Sequence, residues 1–318
     1  MTFFSKGSSL NEIRPHLPQK ILYALDRLDS KTQDKISELR LRADGIATIT
    51  LEGKNYTLTL NGIEKNTKSG IVLSKEDIDE FIYKICKGSV FAHEDTLNNF
   101  YLSYGACRIG IGGSFGKSSS GEYVLSNIRS LNIRLAHHIP DCSQKLFLHI
   151  EKEGFKDGGG ILITSSAGVG KTTLLRDLSV KLSSTCENFN SDFQAKRVCI
   201  IDERSEIFMP DIFKYCNADF ITNGDKITSL ETAVRVLSPE IIIFDEIASP
   251  KEAELITKFK NSGCVFIASH HAATPEGALS KDYIRQMFEQ GVFGYIYSLK
   301  RTKDNVEGEL YSFKDIKC

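Results

Sequence analysis

The sequence predicts an α/β fold with a mainly parallel sheet, preceded by a smaller α+β domain, and three observations carry that prediction. In the second half, short apolar runs alternate with amphipathic helical stretches, the pattern of a parallel sheet covered on both faces. One of these runs leads through a glycine-bearing loop directly into a helix. The first half instead shows short alternating strands and turns between helices, in a chain of 318 residues with room for about two domains at the usual ~150 residues each.

Residues 15–28 and 75–86 read as amphipathic helices; in the second, Ile78, Phe81, Ile82 and Ile85 recur on one face behind Ser74 as N-cap. Residues 46–51 and 56–60 alternate around Gly53-Lys54-Asn55 as a hairpin, and residues 100–116 read as a glycine-rich meander. The polar stretch 151–160, ending in three glycines, is the expected boundary, giving domains at 1–150 and 151–318. Beyond it, strands are expected at 160–164, 197–202, 240–245, 264–269 and 293–299, with helices at 172–182, 229–237, 251–261 and 274–290. Ligands of such sheets sit past the carboxyl ends of the strands, where this chain places its polar residues.

Composition narrows the function. With 41% hydrophobic and 25% charged residues, a disordered or collagen-like chain is excluded. Basic and acidic residues number 40 and 41, a net charge of -1, so nucleic acid held by bulk positive charge is excluded and a local patch would be needed. No apolar run reaches the ~18 residues of a membrane span, and no signal-peptide core is evident; a cytoplasmic location is expected. The eight cysteines, at 86, 107, 142, 186, 199, 216, 264 and 318, are scattered. They read as reduced, buried thiols, with neither a disulfide framework nor a zinc site.

The strongest chemical signal is Ser165-Ser166-Ala167-Gly168-Val169-Gly170-Lys171-Thr172-Thr173, between a strand and a helix as a phosphate-binding loop requires. Gly168 and Gly170 let the backbone curl so that its N–H groups converge on phosphate oxygens, and the helix N-terminus adds partial positive charge. Lys171 is expected to reach the β- and γ-phosphates and Thr172 to ligate Mg²⁺. Ser165 stands where the usual pattern begins with glycine. The apolar strand ending in Asp245-Glu246 supplies what Mg·ATP needs, Asp245 for the metal and its water shell and Glu246 to polarise a water. A third cluster, Asp202-Glu203-Arg204-Ser205-Glu206, also stands at a strand end. Ser269-His270-His271 follows a further strand and suits a γ-phosphate sensor, while a zinc reading lacks a third ligand. Residues 110–116 do not fit a dinucleotide fingerprint and read as a hairpin bend. His93, His137 and His138 have no metal partners, and no nucleophile elbow is present.

Four segments in order, SSAGVGKTTLLRDL, VCIIDERSEI, VRVLSPEIIIFDEIASPKEAE and VFIASHHA, resemble the stage III sporulation protein AA family, relatives of the ATPases of type II secretion and type IV pili. The resemblance continues upstream through ISELRLRADGIATITLEGKNYTL, LSKEDIDEFIYKICKGSVFAHEDTLNNFYLSYGACRIGIGG and SNIRSLNIRLAHHIP, covering roughly residues 15–300. It implies a RecA-like P-loop ATPase domain below an N-terminal domain, in a hexameric ring with ATP held where subunits meet. It further implies that Asp202, Glu203 and Glu206 flank the water and Mg²⁺, that His271 rather than His270 approaches the γ-phosphate, and that Arg235 and Arg204 are the candidates for stabilising transferred charge. The family is held to power or gate a channel between mother cell and forespore, from the cytoplasmic face, with membrane-embedded partner proteins. The chain departs from the family pattern in residues 208–218, which lack a glycine- and arginine-bearing loop, at Ala272, and at Ala248-Ser249-Pro250.

The expected function is therefore Mg²⁺-dependent ATP hydrolysis in the sporulating mother cell. The alternative is a P-loop ATPase associated with single-stranded nucleic acid, with Arg129, Arg134, His137 and His138 as a basic strip. No aromatic residues interleave with those arginines as base stacking requires, so no nucleic-acid partner is expected. A small-molecule kinase would need an arginine-bearing lid that the sequence does not show.

Overall fold

The computed structural model describes residues 8–65, 68–88, 100–117, 123–155, 159–185, 193–203, 205–222, 224–302 and 305–316. The chain divides into two compact units, Lys6–His137 and His138–Cys318.

The strands of the first unit are β1 (Ile36–Arg42), β2 (Gly45–Ile46), β3 (Thr48–Leu51), β4 (Lys54–Thr59), β5 (Gly62–Glu64), β6 (Val72–Leu73), β7 (Tyr101–Tyr104), β8 (Cys107–Lys117) and β9 (Tyr123–Arg134). Seven of them form an antiparallel sheet in the order β5-β4-β3-β1-β9-β8-β7, and β2 pairs with β6. Leu51 faces Lys54, so the β3–β4 turn is Glu52-Gly53, with φ of 49° and 78°, one residue earlier than expected. Positive φ at both positions suits the tight turn whose twist matches the flanking strands. Residues 110–116 lie within β8, not at a bend. Register slips at Gly112/Gly113 and Ser114/Phe115 mark bulges there, and the reversal from β7 to β8 falls between Tyr104 and Cys107.

The helix expected at 15–28 is a 3-10 turn, Arg14–His16, and an α-helix, Gln19–Leu25, separated by Pro18 at the N-cap. Helix Lys75–Ile85 begins at Ser74, whose hydroxyl accepts from Asp77 N while the Asp77 carboxylate accepts from Ser74 N. Ile78, Phe81, Ile82 and Ile85 enter one core with Leu39, Leu41, Ile49, Ile109 and Ile133 of the sheet.

The second unit holds β10 (Gly160–Ser165), β11 (Val198–Asp202), β12 (Ala218–Thr222), β13 (Ile241–Phe244), β14 (Val265–His271), β15 (Phe293–Arg301) and β16 (Val306–Ser312), in the order β12-β11-β13-β14-β10-β15-β16. Every pair is parallel except β15–β16. β10, β11 and β13 are buried along their whole length, as strands covered on both faces must be. Because β10, β11, β13 and β14 run in parallel, their carboxyl ends share one edge, which gathers the four polar clusters of the sequence.

Helix Gln144–Glu153 belongs to this second unit. Its Leu146, Phe147 and Ile150 are buried, and Ser143 ahead of it donates its N–H (2.8 Å) and its hydroxyl (2.6 Å) to the Asp177 carboxylate on helix Lys171–Ser183. These contacts move the boundary from 150/151 to 137/138. The helix expected at 274–290 is two, Pro275–Leu279 and Asp282–Glu289. Among the described residues no helix is long and apolar enough to cross a membrane. Cys86, Cys107, Cys142, Cys199, Cys216 and Cys264 are free thiols, and burial pushes Cys107, Cys142 and Cys199 up to about 12. Cys186, Cys318 and His93 lie outside the described residues.

Candidate nucleotide site

β10 ends at Ser165, and helix Lys171–Ser183 starts directly after the loop. Gly168 and Gly170 have φ of 72° and 128°, and a Cβ at either would meet nothing within 4 Å among the described residues. Backbone conformation, not space, demands glycine at both. Ser165, where glycine is usual, donates its hydroxyl to the Ser166 carbonyl (2.8 Å).

Lys171 is 8% exposed. Its ammonium donates to the Ser165 carbonyl (3.2 Å), the Ser165 hydroxyl (3.4 Å) and His271 Nδ1 (2.8 Å). Since the lysine is the donor, His271 accepts at Nδ1 and carries its proton on Nε2, which faces Glu246 Oε1 at 3.7 Å. Burial lowers the Lys171 pKa, opposed by the charges of Glu246 and Asp245. Across the loop, Thr172 Oγ1 donates to Asp245 Oδ1 at 3.5 Å. The Asp245 carbonyl accepts from the Ser269 hydroxyl, which ties β13 to β14 at the site. A hydroxyl beside a carboxylate, with phosphate oxygens and water to complete the shell, is the hard-oxygen donor set Mg²⁺ takes, so these residues fit that ion. Lys171, Thr172, Asp245, Glu246 and His271 thus meet at one sheet edge. Thr173 follows in the same helix, its carbonyl accepting from the Cys142 thiol at 3.6 Å.

The acidic cluster after β11 is arranged differently from its expected use. Asp202 is fully buried, and its carboxylate accepts the N–H groups of Glu206 (2.9 Å), Ile207 (2.8 Å) and Phe208 (3.0 Å). It holds the loop rather than flanking water. Glu203 pairs with Lys226 at 3.2 Å, and the same ammonium reaches the Glu246 carbonyl (3.0 Å) and Glu252 (3.5 Å). Arg204 lies outside the described residues. Arg235 is exposed in the π-helical turn Ala233–Leu237, ahead of the amino end of β13 and so away from the strand end that carries Asp245. His270 is buried, with Nδ1 2.9 Å from the Ile247 carbonyl, and burial lowers its pKa.

Three residues that sequence reasoning passed over join the site. Lys226 bridges two acidic segments. Arg301 at the end of β15 donates to the Gly168 carbonyl (3.0 Å). Arg176 donates to the Ile207 carbonyl (2.9 Å) and to the Glu206 carbonyl. Arg176-Asp177 left a readable trace, a charged pair among leucines in a helix facing two layers; Lys226 and Arg301 left none. The proposed basic strip is dispersed: Arg129 pairs with Asp44 (2.8 Å), Arg134 is exposed opposite Glu38 in the sheet, His137 is half-buried, and His138 is buried in the other unit.

The family model described as "Sporulation stage III, protein AA" matches residues 9–316. The "Stage III sporulation protein AA" of Bacillus subtilis (strain 168) is 25% identical over 300 residues, 92% of each chain. Among solved structures, the Yersinia pseudotuberculosis ATPase DotB superposes with a TM-score of 0.59 at 14% identity, over 94% of this chain and 81% of that one. The pilus retraction motor PilT, solved with bound ADP, gives 0.59 at 14% identity, over 89% and 81%. At such identity the likeness establishes the fold, a P-loop α/β domain that follows a separate β-rich region in the chain. With the family model spanning nearly its whole length, the chain belongs to the sporulation stage III protein AA family.

Proposed function

We propose that the protein binds and hydrolyses Mg·ATP and that this turnover powers or gates a channel complex between mother cell and forespore, from a homo-oligomeric, hexameric ring on the cytoplasmic face with membrane-embedded partners. The observation that carries the enzymatic part is the convergence of Lys171, Thr172, Asp245, Glu246 and His271 at the end of β10, β13 and β14. The sporulation role and the ring both rest on the family resemblance.

Bound Mg²⁺ supplies positive charge shared among the phosphate oxygens. The loop N–H groups and the helix N-terminus receive the phosphates. Lys171 exchanges its contacts with Ser165 and His271 for phosphate oxygens, which frees His271 Nδ1 at the γ end. Glu246 and Glu206 are the carboxylates that align water, and charge developing on the transferred group is met by Lys171. Lys171→Ala is expected to abolish ATP binding in calorimetry. Glu246→Gln is expected to bind ATP and release phosphate ~10²–10⁴-fold more slowly; turnover equal to wild type would refute that role.

A further inference from the structure

Helix Lys171–Ser183 carries Arg176, 2% exposed, five positions beyond the phosphate-loop lysine. Its Nε donates to the Ile207 carbonyl at 2.9 Å and its Nη2 to the Glu206 carbonyl. From the opposite side, Asp202 takes the N–H groups of Glu206, Ile207 and Phe208. The peptide groups around Glu206 are thereby held at both poles, the amides by a carboxylate and the carbonyls by a guanidinium. Ser205, just before them, has φ of 51°, a conformation that a non-glycine residue keeps only when its surroundings over-determine it. The planar fork of a guanidinium can serve two successive carbonyls at once, which an ammonium cannot do with the same geometry. Burial opposes the charge of Arg176, and the carboxylates of Asp202, Glu206 and Asp245 sustain it.

We infer that Arg176 is a positioning residue for hydrolysis: it fixes the backbone of Glu206 relative to Lys171 on the same helix, and so sets where the Glu206 carboxylate stands against the bound phosphates. This rests on the proposed ATP hydrolysis, in which Glu206 is one of the water-aligning acids, and goes beyond it by naming Arg176 as the group that places that acid. Lys171 and Arg176 share one rigid helix, so two hydrogen bonds suffice to transmit its position to the acidic loop.

The test is a double-mutant cycle on the full chain with Arg176→Lys and Glu206→Gln, reading kcat for ATP, ADP affinity by calorimetry, and amide exchange at residues 206–208. Arg176→Lys should lower kcat by ~10–100-fold, the cost of a misplaced group, with ADP affinity unchanged and faster exchange at 206–208. The double variant should be no slower than the slower single variant. An unchanged kcat in Arg176→Lys, losses that multiply in the double variant, or ADP affinity falling in step with kcat would each overturn the assignment. Should Arg176→Lys not fold, Asp202→Asn loosens the other pole and must show the same coupling to Glu206→Gln. A wild type without ATPase activity overturns the proposed function together with this inference, whereas an active wild type with independent losses overturns this inference alone.

Discussion

At position 138 an imidazole is 1% exposed, and neither ring nitrogen has a hydrogen-bond partner among the described residues. Burial is the main reason its pKa falls from 6.5 to about 4. Asp177 and Asp141 pull it upward, while Arg176 and Lys181 push it further down. The native protein therefore holds His138 neutral where an unfolded chain would protonate it. Stability is complete above pH ~6.5 and falls as pH drops toward 4, with roughly 2 kcal/mol lost by pH 5. His138→Leu should remove this slope, so urea unfolding at pH 7, 6 and 5 should show a flatter dependence than wild type; parallel slopes would mean the ring is not held neutral. The site itself was legible residue by residue only where chemistry follows a strand at fixed spacing. Lys171, Thr172, Asp245, Glu246 and His271 obey that rule. Asp202 obeys it in position but not in use, because a loop that folds back over its own strand end consumes the carboxylate. Arg176 depends on that fold-back for its partners, and Lys226 on Glu203, Glu246 and Glu252 coming together from separate segments, and no local pattern in the sequence encodes either set of partners.

Elements were legible where the apolar period and a start signal agree. Helix Lys75–Ile85 has both, and its capping box satisfies donors at the helix start. Ser74→Ala should cost about 1 kcal/mol, seen as a lower urea midpoint with an unchanged m-value and unchanged nucleotide binding. Residues 275–289 misled for a physical reason: Ala278, Leu279, Ile284, Met287 and Phe288 are buried across both helices, so the apolar spacing runs through the break that splits them. β12 and β16 are edge strands of the second sheet. Their mixed exposure leaves neither a continuous apolar run nor clean alternation to read.

For the whole molecule, topology does what no single motif can. The chain leaves β10, crosses to β11, and returns with β13 and β14 to fill the space between, which brings four distant segments to one edge. The sequence pointed to two domains but set their boundary at the polar, glycine-rich stretch after residue 150, where composition changes. The structural division is set by packing instead. Ser143 and Asp141 bond to Asp177 on the phosphate-loop helix, Lys181 bonds to Asp141 and Gln144 (2.7 Å each), and Leu146, Phe147 and Ile150 are buried. A fragment of residues 138–318 should therefore melt cooperatively and bind ADP. A fragment of residues 151–318 loses three buried apolar side chains at ~1.5–3 kcal/mol each and leaves the Asp177 carboxylate without its Ser143 donors, a further cost of about 1–3 kcal/mol. That sum is comparable to the whole stability of a domain, ~5–15 kcal/mol, so the shorter fragment should be recovered aggregated or without a cooperative thermal transition. Equal melting temperatures for the two fragments would place helix Gln144–Glu153 outside the nucleotide-site unit and return the boundary to residue 150.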